Sequence, residues 1–144
     1  MAKKKEKYPV LIEIKDSHEI EGETHSSEMM CDGVLEELPN GWQLDYIEQS
    51  EGLQGCKSAL RVHDRLVSLT REGDHPLNIT LEQGVRHNCY YNTPAGMMHL
   101  GVFARSVESD ISRTGGLIKL NYTLDFYSDL MSCNQMEISV VRNV

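Results

Sequence analysis

The side chains best equipped for chemistry in this sequence are Arg71, His87, Tyr91, Tyr122 and Asn134, because each keeps step with apolar neighbours two residues away. Arg71 shares its parity with Val67 and Leu69, and His87 with Cys89 and Tyr91. Tyr122 falls between Leu120 and Leu124, and Asn134 precedes Met136, Ile138 and Val140. In a β-strand, residues of one parity share a face, so these polar groups face inward wherever their apolar companions do. A guanidinium offers a two-pronged donor to a carboxylate or phosphate, and a tyrosine offers a ring and a hydroxyl. Indoors and unpaired, such groups cost several kcal/mol. Two readings follow: an internal polar network, with Arg71 satisfied by carbonyls or by Glu72 or Glu82, or a pocket lined for a small anionic or lipid-like ligand.

Other constellations carry less. His63, His75, His87 and His99 recur at equal intervals. Antiparallel pairing around the Thr93–Gly96 turn would set His87 opposite Val102 and His99 opposite Tyr90, so the histidines do not converge as metal ligands must. Catalytic residues, a metal and a cofactor are therefore all expected to be absent. No nucleophile-elbow pattern and no phosphate-cradling glycine spacing occurs. The four cysteines, Cys31, Cys56, Cys89 and Cys133, form no CxxC pair. Reduced thiols in a cytoplasmic protein are expected, with Cys89 and Cys133 buried as small hydrophobes.

The net charge is −8, although Lys3, Lys4, Lys5 and Lys7 crowd the start, so the rest of the chain is more acidic still. Such a body repels phosphate backbones, and no nucleic-acid partner is expected. No window approaches the roughly 18 apolar residues of a membrane span, and neither a signal peptide nor a membrane partner is expected. Residues 1–7 read as a flexible basic tail, and 8–144 as one folded domain.

These residues must be held by strands. Ile118, Leu120, Tyr122, Leu124 and Phe126 alternate strictly with Lys119, Asn121, Thr123 and Asp125, the pattern of a half-buried β-strand. Val10, Ile12 and Ile14 repeat it, as do Trp42, Leu44 and Tyr46; Leu60 and Val62; Leu77, Ile79 and Leu81; and Met136, Ile138 and Val140. Turn chemistry separates them, at Glu21-Gly22, Pro39-Asn40-Gly41, His63-Asp64, Gln83-Gly84 and Gly115-Gly116. About 8–10 strands result, at the spacing of an all-β fold. Ala104 to Ser112, with Val107 and Ile111 four apart, is the one stretch a helix could claim. Short consecutive connections favour a single antiparallel up-and-down β-barrel, which hides its edges by closing. Trp42 is placed to plug one end.

Four segments also carry a family resemblance: Arg71-Glu72-Gly73; Leu81-Glu82-Gln83-Gly84-Val85-Arg86-His87; Tyr91-Asn92-Thr93-Pro94-Ala95-Gly96; and Gly115-Gly116-Leu117 through Tyr122. With these the chain resembles the YwiB-like family of small bacterial proteins, a domain of unknown function, over about residues 8–142. The resemblance implies a calycin-type, lipocalin-like barrel and transfers no activity.

The leading expectation is a noncatalytic binding barrel holding a small anionic or lipid-like ligand through Arg71, His87, Tyr91, Tyr122 and Asn134. Its rival is an interaction or structural module that uses its outer surface, for which Met98, Leu100 and Val102 are the hints; an enzyme comes third. Because Met97, Met98, Leu100, Val102 and Phe103 make one strand apolar on both faces, a homodimer is also expected.

Overall fold

The computed structural model describes residues 6–143 apart from 50–53, 74–75, 94–95 and 128. The described residues form ten strands: β1 (Lys7–Ile20), β2 (Glu23–Leu38), β3 (Gly41–Ile47), β4 (Lys57–His63), β5 (Leu66–Arg71), β6 (Leu77–Glu82), β7 (Arg86–Thr93), β8 (Gly96–Ser112), β9 (Gly115–Phe126) and β10 (Asp129–Arg142). No helix occurs among them. The stretch Ala104–Ser112 belongs to β8, because residues four apart share a face of a strand as readily as a side of a helix. Lys7 already belongs to β1, while Lys3, Lys4 and Lys5 lie outside the described residues.

One sheet contains all ten strands, in the order β6-β5-β4-β3-β2-β1-β10-β9-β8-β7. Neighbours in the chain are thus neighbours in space, and the first and last strands pair from Val10 opposite Arg142 to Glu19 opposite Cys133. The break falls between β6 and β7. It is narrowed by bridges from Glu82 to Val85 and from Gln83 to Ala104. Gly84 N–H donates to the Ala104 carbonyl at 2.8 Å, and Val107 N–H donates to Gln83 Oε1 at 3.1 Å. The result is a nearly closed antiparallel barrel. Its seam is held by a glutamine side chain where a full ladder would otherwise run.

The strands show why the alternating runs pair as they do. Ile12 and Ile14 meet Cys31 and Met29 on β2 and Val140 and Ile138 on β10, so one apolar phase lines the interior across three strands. The contiguous core includes Ile12, Val67, Val102 and Ile138, none measurably exposed. Each such side chain contributes on the order of 1.5–3 kcal/mol relative to exposure. Two bulges, between Ala104 and Ser106 on β8 and between Leu130 and Ser132 on β10, shift the register. The first one lets Ala104 and Val107 both face inward although they are an odd number of residues apart.

The start of β1, the end of β10, the Asn40 and Thr114 turns, and Trp42 mark one end of the barrel, its floor. Trp42 packs against the core there and, with Val62, His63 and Ile111, lines a shallow recess. At the other end, the mouth, lie the β1–β2 turn at Glu21 and Gly22 and the β9–β10 turn at Tyr127. Both residues of the former have positive φ, 51° and 81°, as a two-residue turn matched to the right-handed twist requires.

Two expectations need correction here. Leu100 and Val102 face the core, at 9% and 0% exposure, so they offer no outer surface; Met98, which pairs with Tyr91, keeps the same inward phase. The outward phase of β8 is Met97, His99, Gly101 and Phe103. Cys133 is half-buried on the outer phase, opposite Thr123 and Glu19, whereas Cys31, Cys56 and Cys89 are buried; all four thiols are free.

Gly116 has φ 149°, and a Cβ built there would sit 1.8 Å from the Asp110 carbonyl oxygen. Gly116→Ala is expected to destabilise the barrel by about 2–3 kcal/mol, since both strain and a backbone clash follow. Urea unfolding monitored by Trp42 fluorescence measures it, and a midpoint equal to wild type refutes it.

Candidate functional site

All five residues singled out by parity have inward phase, Tyr91 by its backbone pairing, but they do not converge on one point. Arg71 pairs across β4 with Ser58 and across β6 with Leu77; His87 lies opposite Val102; Tyr122 and Asn134 face each other. Tyr91 pairs with Met98 in the same phase, and its side chain lies outside the described residues.

Arg71 is engaged within the barrel. Its Nη2 lies 3.6 Å from Glu48 Oε1, and Ser58 Oγ donates to the same oxygen at 2.9 Å. The partner is Glu48, where Glu72 or Glu82 had been expected. Glu48 continues the inward phase of Trp42, Leu44 and Tyr46 past the end of β3. Its backbone is pinned by Glu48 N–H to the Cys56 carbonyl at 2.8 Å and by Gly55 N–H to its own carbonyl at 3.1 Å. Burial, then the Glu48 carboxylate, pushes the neighbouring Tyr46 hydroxyl above its ordinary range, with Arg71 and Ser58 pulling the other way. Arg71 Nε is buried with no hydrogen-bond partner among the described residues. The cluster is a buried ion pair in which Ser58 satisfies the Glu48 carboxylate.

His87 serves the seam. Its Nε2 lies 2.9 Å from Glu82 Oε1, which ties β7 to the end of β6 across the gap in the sheet.

The third location is the mouth. There β1 continues its inward phase beyond Ile14 into Asp16 and His18, and β2 matches it with Ser27 and His25. The His18 and His25 rings stack at 5.3 Å. On β10, Asn134 is buried and donates to Ser132 Oγ at 2.9 Å and, more weakly, to the Tyr122 carbonyl at 3.5 Å. His18, Ser132 and Asn134, with Ile20, Leu124 and Leu130, line a cavity of about 810 Å³ that opens at this end. One inward step below His18, Asp16 buries Oδ1 with no hydrogen-bond partner among the described residues. Burial holds its carboxyl above the ordinary range, partly offset by His18. Burial and then the Asp16 charge raise the Tyr122 hydroxyl likewise. The mouth thus combines apolar walls with the polar side chains of His18, Ser132 and Asn134.

Asp16, His18, His25, Glu48 and Ser58 were missed from the sequence. The signal was present: each extends an inward apolar run by the same period of two, and each was passed over because the run was followed only through its apolar members.

A nearly closed, ten-stranded antiparallel barrel with a polar mouth and an apolar floor defines the class of protein: a small single-barrel domain. The chain belongs to the family described as Domain of unknown function (DUF1934), whose model matches residues 12–138. Among solved structures it is similar to the crystal structure of the ywiB protein from Bacillus subtilis, with a TM-score of 0.85 at 21% identity, covering 96% of this chain and 94% of that one. At that identity the likeness shows the fold. No curated protein matches. No helix among the described residues is long and apolar enough to cross a membrane.

Two predictions follow from these geometries. Glu48→Ala leaves Arg71 buried and uncompensated, and is expected to cost about 3 kcal/mol, whereas the double change Arg71→Met with Glu48→Leu recovers most of that loss. Denaturant unfolding of wild type and the two variants tests this, and equal stability of the two variants refutes the pairing.

Asp16 has a raised native pKa, so its protonated form favours folding, and stability is lost as pH rises through that pKa. Asp16→Asn is therefore expected to melt above wild type at neutral pH, with the difference closing below the ordinary carboxylate value of 3.8. Thermal melts across acid and neutral pH decide it; a variant that melts lower at neutral pH contradicts the assignment.

Proposed function

We propose that this barrel is a noncatalytic cytoplasmic binding protein whose mouth receives a small lipid-like molecule, apolar in body and carrying an uncharged or cationic hydrogen-bonding head. The observation that carries the reading is the cavity of about 810 Å³, apolar along Ile20, Leu124 and Leu130 and polar at His18 and Asn134. Its size lies within the roughly 300–1,000 Å³ usual for ligand sites. The carboxylates of Glu19 and Glu21 at the same opening would accept from a donor on the head. The anionic alternative has less support. Arg71 already answers Glu48, and Glu19 and Glu21 would repel a carboxylate at the mouth. Four free cysteines favour a reducing compartment.

One observation favours a second reading, an interaction module that forms a homodimer through its outer face. Tyr90, Met97, Tyr127 and Leu130, 63–75% exposed, crowd the mouth side of β7 to β10, with Tyr90 stacked on His99 at 5.0 Å. Sedimentation of wild type against Tyr127→Lys would reveal a dimer that the variant loses.

The ligand reading is tested by native mass spectrometry of the purified protein and by titration with dodecanol and dodecanoate, using displacement of N-phenylnaphthylamine fluorescence. Dodecanol is expected to bind more tightly than dodecanoate, and Leu124→Glu is expected to weaken dodecanol about tenfold. Tighter dodecanoate binding, or indifference to Leu124→Glu, would sink the proposal.

A further inference from the structure

We infer that the outer face of β2 to β5 is a separate docking groove for an extended basic segment of a partner protein. The outward phase of these strands places Asp32 and Val34 beside Asp45 and Ile47, then Ala59 and Thr70, with Glu72 beyond the end of β5. Together they line a cleft of about 470 Å³ on the opposite side of the sheet from the barrel interior. All of these residues except Glu72 lie on strands.

Its surface is divided chemically. Val34, Ile47 and Ala59 make an apolar bed, and Val34 and Ile47 are 36% and 41% exposed. Three carboxylates, Asp32, Asp45 and Glu72, stand around it against the single ammonium of Lys57. Asp45 is held in place, its two oxygens taking Gln43 Nε2 at 3.1 and 3.2 Å while Gln43 Oε1 accepts from Arg61 Nε at 3.2 Å. Asp32 and Glu72 form no ion pair among the described residues. A lysine or arginine lays an aliphatic stem on apolar surface and carries its charge beyond it, which matches this bed and rim. The net charge of −8 adds long-range attraction for a basic partner and repulsion of an acidic one. In an extended segment the side chains of one parity face the bed together, so basic residues of that parity would lay their stems on it and reach the rim carboxylates.

The test is fluorescence anisotropy with a labelled peptide of alternating lysine and leucine, beside a glutamate and leucine control. Wild type is expected to bind the basic peptide in a salt-weakened manner and to ignore the acidic one. The pair Asp32→Asn with Glu72→Gln, and separately the groove-filling Ala59→Phe, should each weaken binding roughly tenfold. Lys119→Gln, on β9, should leave it unchanged, and thermal melts establish that each variant is folded. The inference is overturned if wild type does not bind, if both groove variants bind as wild type does, or if spermine competes as well as the peptide at equal charge, which would mean that charge alone is read.

Discussion

The barrel depends on one pairing, that of β1 with β10. A meander of ten strands has two edges carrying unsatisfied backbone groups, and here the sheet's own ends are β6 and β7, neighbours in the chain. This arrangement is available only because the first and last strands join over Val10 to Glu19 and complete the wall elsewhere. β1 also pairs with β2 from Lys7 to Ile20, so it stands at the centre of two long ladders. The remaining gap is short enough for Gln83, Gly84 and the His87–Glu82 contact to bridge. Those polar groups answer an edge problem with a few local bonds where a ladder is missing.

The same ladders explain where the mouth lies. β1, β2, β8, β9 and β10 have 12 to 17 residues, whereas β3 to β7 have six to eight. The wall is therefore tall on one side and low on the other. Where it is low, β3 ends at Ile47 and β5 at Arg71, and the next inward group, Glu48, meets Arg71 directly. Where it is tall, His18 and Asn134 extend past Ile14 and Ile138 on the inward phase, and the cavity forms beside them. Polar inward residues therefore have two fates in one fold, decided by whether a facing element reaches them.

Much of this architecture was legible in the sequence because a strand's period is two and its apolar phase is dense. Ile118 to Phe126 announced β9, and the turns at Glu21-Gly22 and Gly115-Gly116 bounded their strands. Parity also placed Arg71, His87, Tyr122 and Asn134 on the inner phase. What parity cannot convey is height along the barrel and distance across it, so residues of equal phase were grouped into one site although they lie in three places. Nor does it convey a bulge: the slip at Arg105 moves Val107 onto the phase that Ala104 occupies, and nothing local in Ala104-Arg105-Ser106 marks it. Following phase only through apolar residues lost Asp16, His18, Glu48 and Ser58. A run that turns polar while keeping its period is the more informative end of a strand.

The energetics sharpen that distinction. A buried ion pair such as Arg71 and Glu48 repays its desolvation only when the remaining donors and acceptors are met, and here Ser58 supplies one of them. Its inward position is sufficiently explained by internal bonding. Two buried atoms still lack a partner among the described residues, Nε of Arg71 and Oδ1 of Asp16, and the second has no ion-pair partner beside it. An unsatisfied buried acceptor lowers stability by roughly 1–3 kcal/mol, and replacing it with an apolar residue would remove the loss. Arg71 and His87 are thus drawn into internal contacts with Glu48 and Glu82, while Arg71 Nε and Asp16 Oδ1 stay without hydrogen bonds among the described residues.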